Sequence, residues 1–98
     1  MFKTEQKDGK LILCFEGRMD TAACAGIEKE VDGQVGKAGQ PVVFDLRNVD
    51  FVSSAFLRFC ISAAKKTGAG KFQVANAAPQ IKKVFKIAGM DQLLSVQE

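Results

Sequence analysis

Two adjacent serines, Ser53 and Ser54, are the residues whose type and position in this sequence allow chemistry. They stand in the stretch VVFDLRNVDFVSSAFLRFC, after an apolar segment and a polar turn and before a second run of large hydrophobic residues. If a helix begins there, a serine hydroxyl can cap the free backbone N–H groups of its first turn. The hydroxyl can instead accept a phosphoryl group, because the positive end of a helix dipole tolerates the added charge. The residues alone leave both interpretations open.

Enzymatic catalysis is not expected from this composition. The chain contains no histidine, and neither serine belongs to the GxSxG pattern of a nucleophile elbow. The cysteines, Cys14, Cys24 and Cys60, lack the CxxC spacing of zinc and redox sites, so we expect them to pack as small core residues. The sequence also has no GxxxxGK[ST] loop for a nucleotide. We therefore expect a binding protein without a metal ion or a cofactor.

Length and charge narrow the classes of partner. A chain of 98 residues corresponds to one small domain, which we place at residues 1–98. The net charge of +3 is too small to indicate binding to nucleic acid, which requires clustered lysine and arginine. No apolar run approaches the ~20 residues of a membrane span, and the charged N-terminus MFKTEQKDGK differs from a signal peptide. These features predict a cytoplasmic protein with no membrane span.

The N-terminal half predicts a hairpin, a helix and a buried strand. KDGK carries the Asp-Gly signal of a tight turn between FKTEQ and LILCFEG, which are expected to pair as antiparallel strands. Asp20 or Thr21 can cap the following helix, whose apolar residues recur at helical spacing. VVFDL is a short continuous apolar run, typical of a strand buried on both faces in a parallel sheet.

The C-terminal half predicts two more helices around one strand. RNVD is expected to be a turn, and the helix after it is expected to present Leu57, Cys60, Ile61 and Ala64 as its inward stripe. KFQVAN predicts the next strand, and Pro79 opens a third helix that ends near AGM. The final segment LLSVQE is expected to add a short edge strand. The order of elements predicts an α/β fold: a mixed, mostly parallel sheet of four to five strands, begun by an N-terminal hairpin and covered by about three helices.

The stretch around the serines resembles the signature of the STAS domains, the family of bacterial anti-sigma factor antagonists. That signature is an apolar strand, DL, a short turn, Asp or Ser, Ser, a small residue, Gly and Leu. The resemblance extends to LILCFEGRMDTAACAGIEKEV, which is similar to the family's second strand, its Gly-Arg-x-Asp turn and its first helix. KFQVANAAPQIKKVFKIAGMDQLL is similar to the fourth strand and the helix after it. Nearly the whole chain is covered.

The resemblance implies roles for single residues. Ser54 falls on the family's phosphoacceptor position, with Ser53 before it as the alternate acceptor. Phe56 stands where the family usually has glycine, so a partner would need a matching pocket or a different docking mode. The implied docking surface is the turn NVDFVSS with the exposed side of the following helix. Its expected partner-binding residues are Asp20, Asp45, Asn48, Ser53, Ser54, Ala55, Phe56 and Leu57.

The resemblance also implies a partner. Members of the family dock onto an anti-sigma factor that is also a serine kinase, and a sigma factor is then freed for transcription. A phosphoryl group on the docking surface adds about 1.5 to 2 negative charges and is expected to prevent binding. A phosphatase would be a further partner, and the oligomeric state stays open. The alternative is an unphosphorylated STAS scaffold or adaptor subunit in a stress-signalling or transport complex.

Overall fold

The computed structural model describes residues 2–37, 39–68 and 70–93. In chain order the elements are β1 (Phe2–Lys7), β2 (Lys10–Met19), α1 (Thr21–Lys37), β3 (Val42–Val52), α2 (Ser54–Thr67), β4 (Phe72–Ala75), α3 (Pro79–Ile87) and a short 3-10 turn (Asp91–Leu93). Leu93, the first residue of the predicted edge strand LLSVQE, lies in the 3-10 turn, and the rest of that segment is outside the described residues.

A tight hairpin joins β1 to β2, as the Asp-Gly signal predicts. Asp8 and Gly9 form its turn with φ angles of 53° and 75°. Positive φ at both central residues is the requirement of the hairpin turn that matches the twist of the flanking strands. The strands pair antiparallel, and the register closes on Lys7 opposite Lys10.

The sheet has the strand order β1-β2-β3-β4. β2 pairs with β3 and β3 with β4 in parallel, so the hairpin is the only antiparallel pair among the described strands. Both parallel crossovers move in the same direction across the sheet, and right-handed crossovers therefore place α1 and α2 on one face. The predicted α/β class and the mostly parallel sheet are confirmed, with four strands and three helices in the described residues.

The hydrophobic core lies between this face and the helices. Alternation along the strands directs one set of side chains inward: Leu11, Leu13 and Phe15 of β2, Val42, Phe44 and Leu46 of β3, and Phe72 and Val74 of β4. The rings of Phe15 and Phe44 pack edge to face with centroids 4.9 Å apart. From the helices, Val31, Cys60 and Phe85 complete the packing.

The opposite face of the sheet is not covered by a helix in the described residues. It carries Ile12 and Cys14 of β2 together with Val43 and Asp45 of β3. Cys14 is half-buried there, so the prediction that all three cysteines are core residues holds for Cys24 and Cys60 only. Both faces of β3 are thus apolar near its start, and polar side chains surround the open side.

The structure corrects two local predictions. RNVD is not a turn, because β3 continues through it to Val52 and stays paired with β2 across two register shifts. The inward stripe of α2 is also displaced: Phe56, Phe59, Cys60 and Ala63 are buried, whereas Ile61 is 43% exposed. The larger aromatic side chains fill the space above the sheet.

Candidate functional site

Two helices begin at the same edge of the sheet. Met19, the last residue of β2, lies opposite Val52, the last residue of β3. The next residues along each strand lead directly into α1 and α2, and the Ser53 N–H donates to the Met19 carbonyl at 3.0 Å. The N-termini of both helices therefore lie at the same edge of the sheet, which we call the docking edge. It is defined by Asp20 and Ser54 at the starts of the helices and by Arg18 and Phe51 near the ends of the strands.

Asp20 caps the first helix at this edge. Its Oδ1 accepts a hydrogen bond from the Ala23 N–H at 2.9 Å, and its carbonyl accepts one from the Cys24 N–H at 3.0 Å. The other carboxylate oxygen lies 3.9 Å from the Arg18 Nε, in a pair exposed enough to contribute little to stability. Of the two capping residues that the sequence offered, the structure uses Asp20.

Ser53 occupies the N-cap position of α2 and contributes through its backbone. Its carbonyl accepts the N–H groups of Phe56 and Leu57 at 3.0 and 3.1 Å. The side chain makes no capping hydrogen bond, and its Oγ is buried without a hydrogen-bond partner of ordinary geometry. The hydroxyl faces the Cys24 thiol: burial raises the pKa of Cys24, and the Ser53 hydroxyl acts against that rise. Ser53 therefore does not cap α2 through its hydroxyl, which was one of the two roles that the sequence left open for these serines.

Ser54 is the exposed serine of the pair. It is the first residue of α2, a turn that contains no acidic side chain. The free N–H groups and the dipole of a helix N-terminus favour negative charge at this position. Arg58 is exposed four residues further along, which places it on the same side of the helix as Ser54. A phosphoryl group on Ser54 would thus meet a favourable field.

Arg18 and Phe51 complete the docking edge and were not singled out from the sequence. They lie opposite each other on β2 and β3, and the guanidinium carbon of Arg18 is 4.2 Å from the centroid of the Phe51 ring. Phe51 is 38% exposed, one of three large hydrophobic residues exposed in the described part of the chain. Its position inside NVDFVSS was the available signal, but the assignment of that segment to a turn obscured it.

The comparisons identify the family. The model of the STAS domain matches residues 1–98. The chain belongs to the STAS domain family. Among curated proteins, this STAS domain is 34% identical over 91 residues to BtrV of Bordetella bronchiseptica, which is described as an anti-sigma factor antagonist; the match covers 91% of this chain and 78% of BtrV.

Solved structures share the fold of this STAS domain. An anti-sigma factor antagonist from Mycobacterium paratuberculosis superimposes with a TM-score of 0.86 at 22% identity, covering 98% of this chain and 85% of the other. SpoIIAA in its unphosphorylated form gives 0.81 at 17% identity, with coverage of 97% and 86%. Its phosphorylated form gives 0.72 at 17%, with coverage of 97% and 89%.

Phe56, at the glycine position of the STAS signature, is not part of the surface. Its side chain is fully buried, and its ring lies 5.1 Å from that of Phe15 and 6.0 Å from that of Phe59, measured between centroids. The expectation that Phe56 contacts a partner is wrong for this reason. Ala55 and Leu57 are half-buried against the core, so each retains only a limited outward surface.

Asp45 and Asn48 lie apart from the serines in this STAS domain. Both line the uncovered face of the sheet, where the Asp45 Oδ1 accepts the Arg47 N–H at 2.9 Å. They pair with Cys14 and Glu16 within β2, several residues before the strand ends at which α1 and α2 begin. The structure therefore divides the predicted surface: Asp20, Ser53 and Ser54 meet at one edge, and Asp45 and Asn48 do not join them.

A groove lies between α1 and α2. It is lined by Thr21, Ala25, Ala55, Arg58 and Phe59, among others. Thr21 and Ala55 follow Asp20 and Ser54 in the chain, so this mixed apolar and charged groove begins next to the docking edge. Among the described residues no cluster of cysteines and carboxylates has an arrangement that would hold a metal ion.

Proposed function

We propose that this STAS domain is a regulator that docks through its docking edge onto an anti-sigma factor with serine kinase activity, so that a sigma factor is freed. Phosphorylation of Ser54 would end the docking. The supporting observation is the exposed Ser54 at the start of α2, at the same edge of the sheet as the strand ends that carry the exposed Arg18–Phe51 pair. BtrV is described as an anti-sigma factor antagonist, and SpoIIAA is known in a phosphorylated form.

The hydroxyl groups of the two serines differ in how accessible they are to a kinase. A kinase must bring the acceptor oxygen into line with the transferred phosphoryl group. The Ser54 side chain is exposed, whereas the Ser53 Oγ is buried. Phosphorylation at Ser53 would require local opening of the start of α2, so we assign the acceptor to Ser54.

The charge and the hydration of a phosphoryl group on Ser54 explain why phosphorylation would end docking. Before phosphorylation the docking edge offers one acidic side chain, Asp20, and one guanidinium, Arg18, around an exposed ring. The phosphoryl group adds about 1.5 to 2 negative charges. Docking would then require these charges to lose their hydration and to contact partner groups that are arranged for an uncharged hydroxyl, which is unfavourable. Within the domain the helix dipole favours this charge, so binding is lost without loss of the fold.

Binding of Ser54 variants to the anti-sigma kinase of the same organism tests the proposal. Ser54→Ala is expected to bind as the unmodified protein does, and Ser54→Asp is expected to bind at least about tenfold more weakly. Gln80→Glu is the matched control, because Gln80 is an exposed residue in the first turn of another helix, α3. Equal affinities for Ser54→Ala and Ser54→Asp would contradict the switch and favour an unphosphorylated scaffold.

A kinase assay followed by intact-mass measurement tests the assignment of the acceptor. The unmodified protein and Ser53→Ala are expected to gain one phosphoryl group, and Ser54→Ala none. Incorporation that survives Ser54→Ala and disappears in Ser53→Ala would move the acceptor to the buried serine. The same assay with phosphorylated protein as substrate for a phosphatase reports whether the modification is reversible.

Phe51 provides an independent probe of the docking edge. Exposed aromatic side chains are frequent centres of binding energy at protein interfaces. Phe51→Ala is expected to weaken docking by about tenfold or more. Ile87→Ala is the control, because Ile87 is a highly exposed hydrophobic residue on α3. Equal effects of the two variants on affinity would argue against docking through this edge.

A further inference from the structure

The outer edge of β1 is an exposed strand edge that is separate from the docking edge. β1 is the terminal strand of the sheet, and within the described ranges no further strand pairs with its outer side. Every residue of β1 except Phe2 is exposed. Such an edge offers backbone N–H and C=O groups to another strand. We propose that it pairs with the same edge of a second copy of this chain, giving a two-fold symmetric dimer with one continuous sheet.

The hairpin fixes which backbone groups point outward. A two-residue turn closes on a residue pair that exchanges both hydrogen bonds, here Lys7 and Lys10, and the following pairs alternate without and with such bonds. The Leu11 N–H obeys this alternation, because it donates to the Pro41 carbonyl at 2.9 Å on the side of β3 rather than to β1.

Continued along β1, the alternation leaves Thr4 facing the outer edge. Lys3 lies opposite Cys14 and Glu5 opposite Ile12 in pairs that bond to β2, whereas Thr4 lies opposite Leu13 in a pair that does not. The N–H and C=O groups of Thr4 therefore point away from β2. Thr4 is also exposed, so the β1 strands of two copies can pair antiparallel around it.

A two-fold axis at Thr4 produces a self-complementary register. The backbones of the two Thr4 residues exchange hydrogen bonds, and Phe2 of each copy pairs with Gln6 of the other. Between these pairs, Lys3 of each copy lies opposite Glu5 of the other, in the positions without hydrogen bonds where side chains approach most closely. Two pairs of opposite charges thus face each other across the axis.

The charges distinguish this register from its neighbours. A shift of the axis by one residue places it at Lys3 or at Glu5, where two like charges meet. Lysine on an edge strand ordinarily discourages pairing, but in the Thr4 register each Lys3 meets a carboxylate. The docking edge stays open in the dimer, because its residues lie at the ends of β2 and β3 and at the start of α2.

Sedimentation equilibrium of the purified chain over a concentration series tests the proposal, with no anti-sigma factor present. A reversible monomer–dimer equilibrium is expected. Lys3→Glu and Glu5→Lys each create two like-charged pairs and are expected to raise the dissociation constant about tenfold. The double variant exchanges the charges and is expected to restore dimerisation. A mixture of the two single variants is expected to form heterodimers in preference to homodimers.

Two further variants separate edge pairing from other causes. Thr4→Pro removes an outward N–H without removing a bond to β2, and is expected to give a monomer. Lys83→Glu makes the same charge reversal at an exposed position of α3 and is expected to leave the equilibrium unchanged. If Thr4→Pro fails to fold by circular dichroism, the charge variants decide alone. A chain that stays monomeric into the millimolar range, or a dimer indifferent to Lys3→Glu and Glu5→Lys, would overturn the proposal.

Discussion

The hydroxyl groups of Ser53 and Ser54 belong to neighbouring residues and lie in different environments. The Ser53 Oγ is buried without a hydrogen-bond partner, beside the Cys24 thiol, while Ser54 is exposed on the first turn of α2. The backbone carbonyl of Ser53 still accepts two N–H groups of the helix. The start of α2 therefore depends on the backbone of Ser53, and the Ser54 side chain carries no structural hydrogen bond among the described contacts.

The stability of alanine variants should reflect this difference. Ser53→Ala is expected to leave the free energy of unfolding unchanged or to raise it by up to about 1 kcal/mol, because a buried hydroxyl without a hydrogen bond is unfavourable. Ser54→Ala is expected to change it by less than about 0.5 kcal/mol, as at other exposed sites. Urea denaturation measures both. A loss above about 1 kcal/mol in Ser53→Ala would mean that its hydroxyl caps the helix in solution.

An acidic residue at position 54 should stabilise the isolated domain. Ser54→Asp is expected to raise the free energy of unfolding by about 0.3 to 1 kcal/mol, because the first turn of α2 contains no acidic side chain to complement the helix dipole. The spacing to Arg58 adds a favourable pair worth about 0.2 to 0.5 kcal/mol. Denaturation of Ser54→Asp with and without Arg58→Gln separates the two contributions.

The salt dependence of this gain provides a second check. Exposed charge interactions weaken as ionic strength rises, so the advantage of Ser54→Asp should shrink between low and high salt. Destabilisation by Ser54→Asp at low salt would contradict the favourable field at the start of α2. It would also suggest that loss of partner binding in this variant comes from loss of the fold.

Phe56 should behave as a core residue despite its position in the STAS signature. Phe56→Ala is expected to lower the free energy of unfolding by about 3 to 5 kcal/mol, because the ring is fully buried against Phe15 and Phe59. Ile61→Ala, on the exposed side of the same helix, is the control and is expected to cost less than about 1 kcal/mol. Thermal or urea unfolding measures the loss of stability in both variants. Equal costs for the two variants would mean that α2 presents the other face to the sheet.

The strands were predictable because their signals are local. The Asp-Gly turn specifies the hairpin through backbone conformation, and the apolar run VVFDL indicates a strand of a parallel sheet. The run also predicts burial on both faces, whereas the described helices cover one face only. The inward face of α2 was harder, because Phe56, Leu57, Phe59, Cys60 and Ile61 are all apolar and allow two stripes at helical spacing. The space above Phe15 and Phe44 selects the aromatic stripe, and that space belongs to other parts of the chain.

In the candidate site too, features set by local sequence could be predicted and features set by distant parts of the chain could not. Asp20 could be predicted as a cap from its position before a helix, and the structure confirms it. Burial of the Ser53 hydroxyl depends on Cys24 of α1, which is distant in sequence. The location of Asp45 and Asn48 depends on β3 continuing past Asp45 with a register shift, a feature of strand pairing that local propensity does not encode.

Cys14 should be the one thiol that reacts in the native domain. It is half-buried on the uncovered face of the sheet, whereas Cys24 and Cys60 are buried. Titration with a thiol reagent is expected to modify one cysteine before unfolding and all three after it, because access controls cysteine reactivity. Fast modification of more than one thiol in the native protein would contradict the packing between α1 and α2.

The rate at which a thiol reagent modifies Cys14 should rise steeply with pH and should depend on the charges of the neighbouring carboxylates. Burial raises the pKa of the Cys14 thiol, and the negative charges of Glu5 and Asp45 raise it further. A raised pKa means less of the reactive thiolate at neutral pH, so the rate should still be climbing above the ordinary value of about 8.5. Asp45→Asn keeps an oxygen acceptor for the Arg47 N–H but removes one charge, and it is expected to lower the pKa and speed the reaction at pH 7. A pH–rate profile that does not move in Asp45→Asn would show that the carboxylate does not act on the thiol across this face.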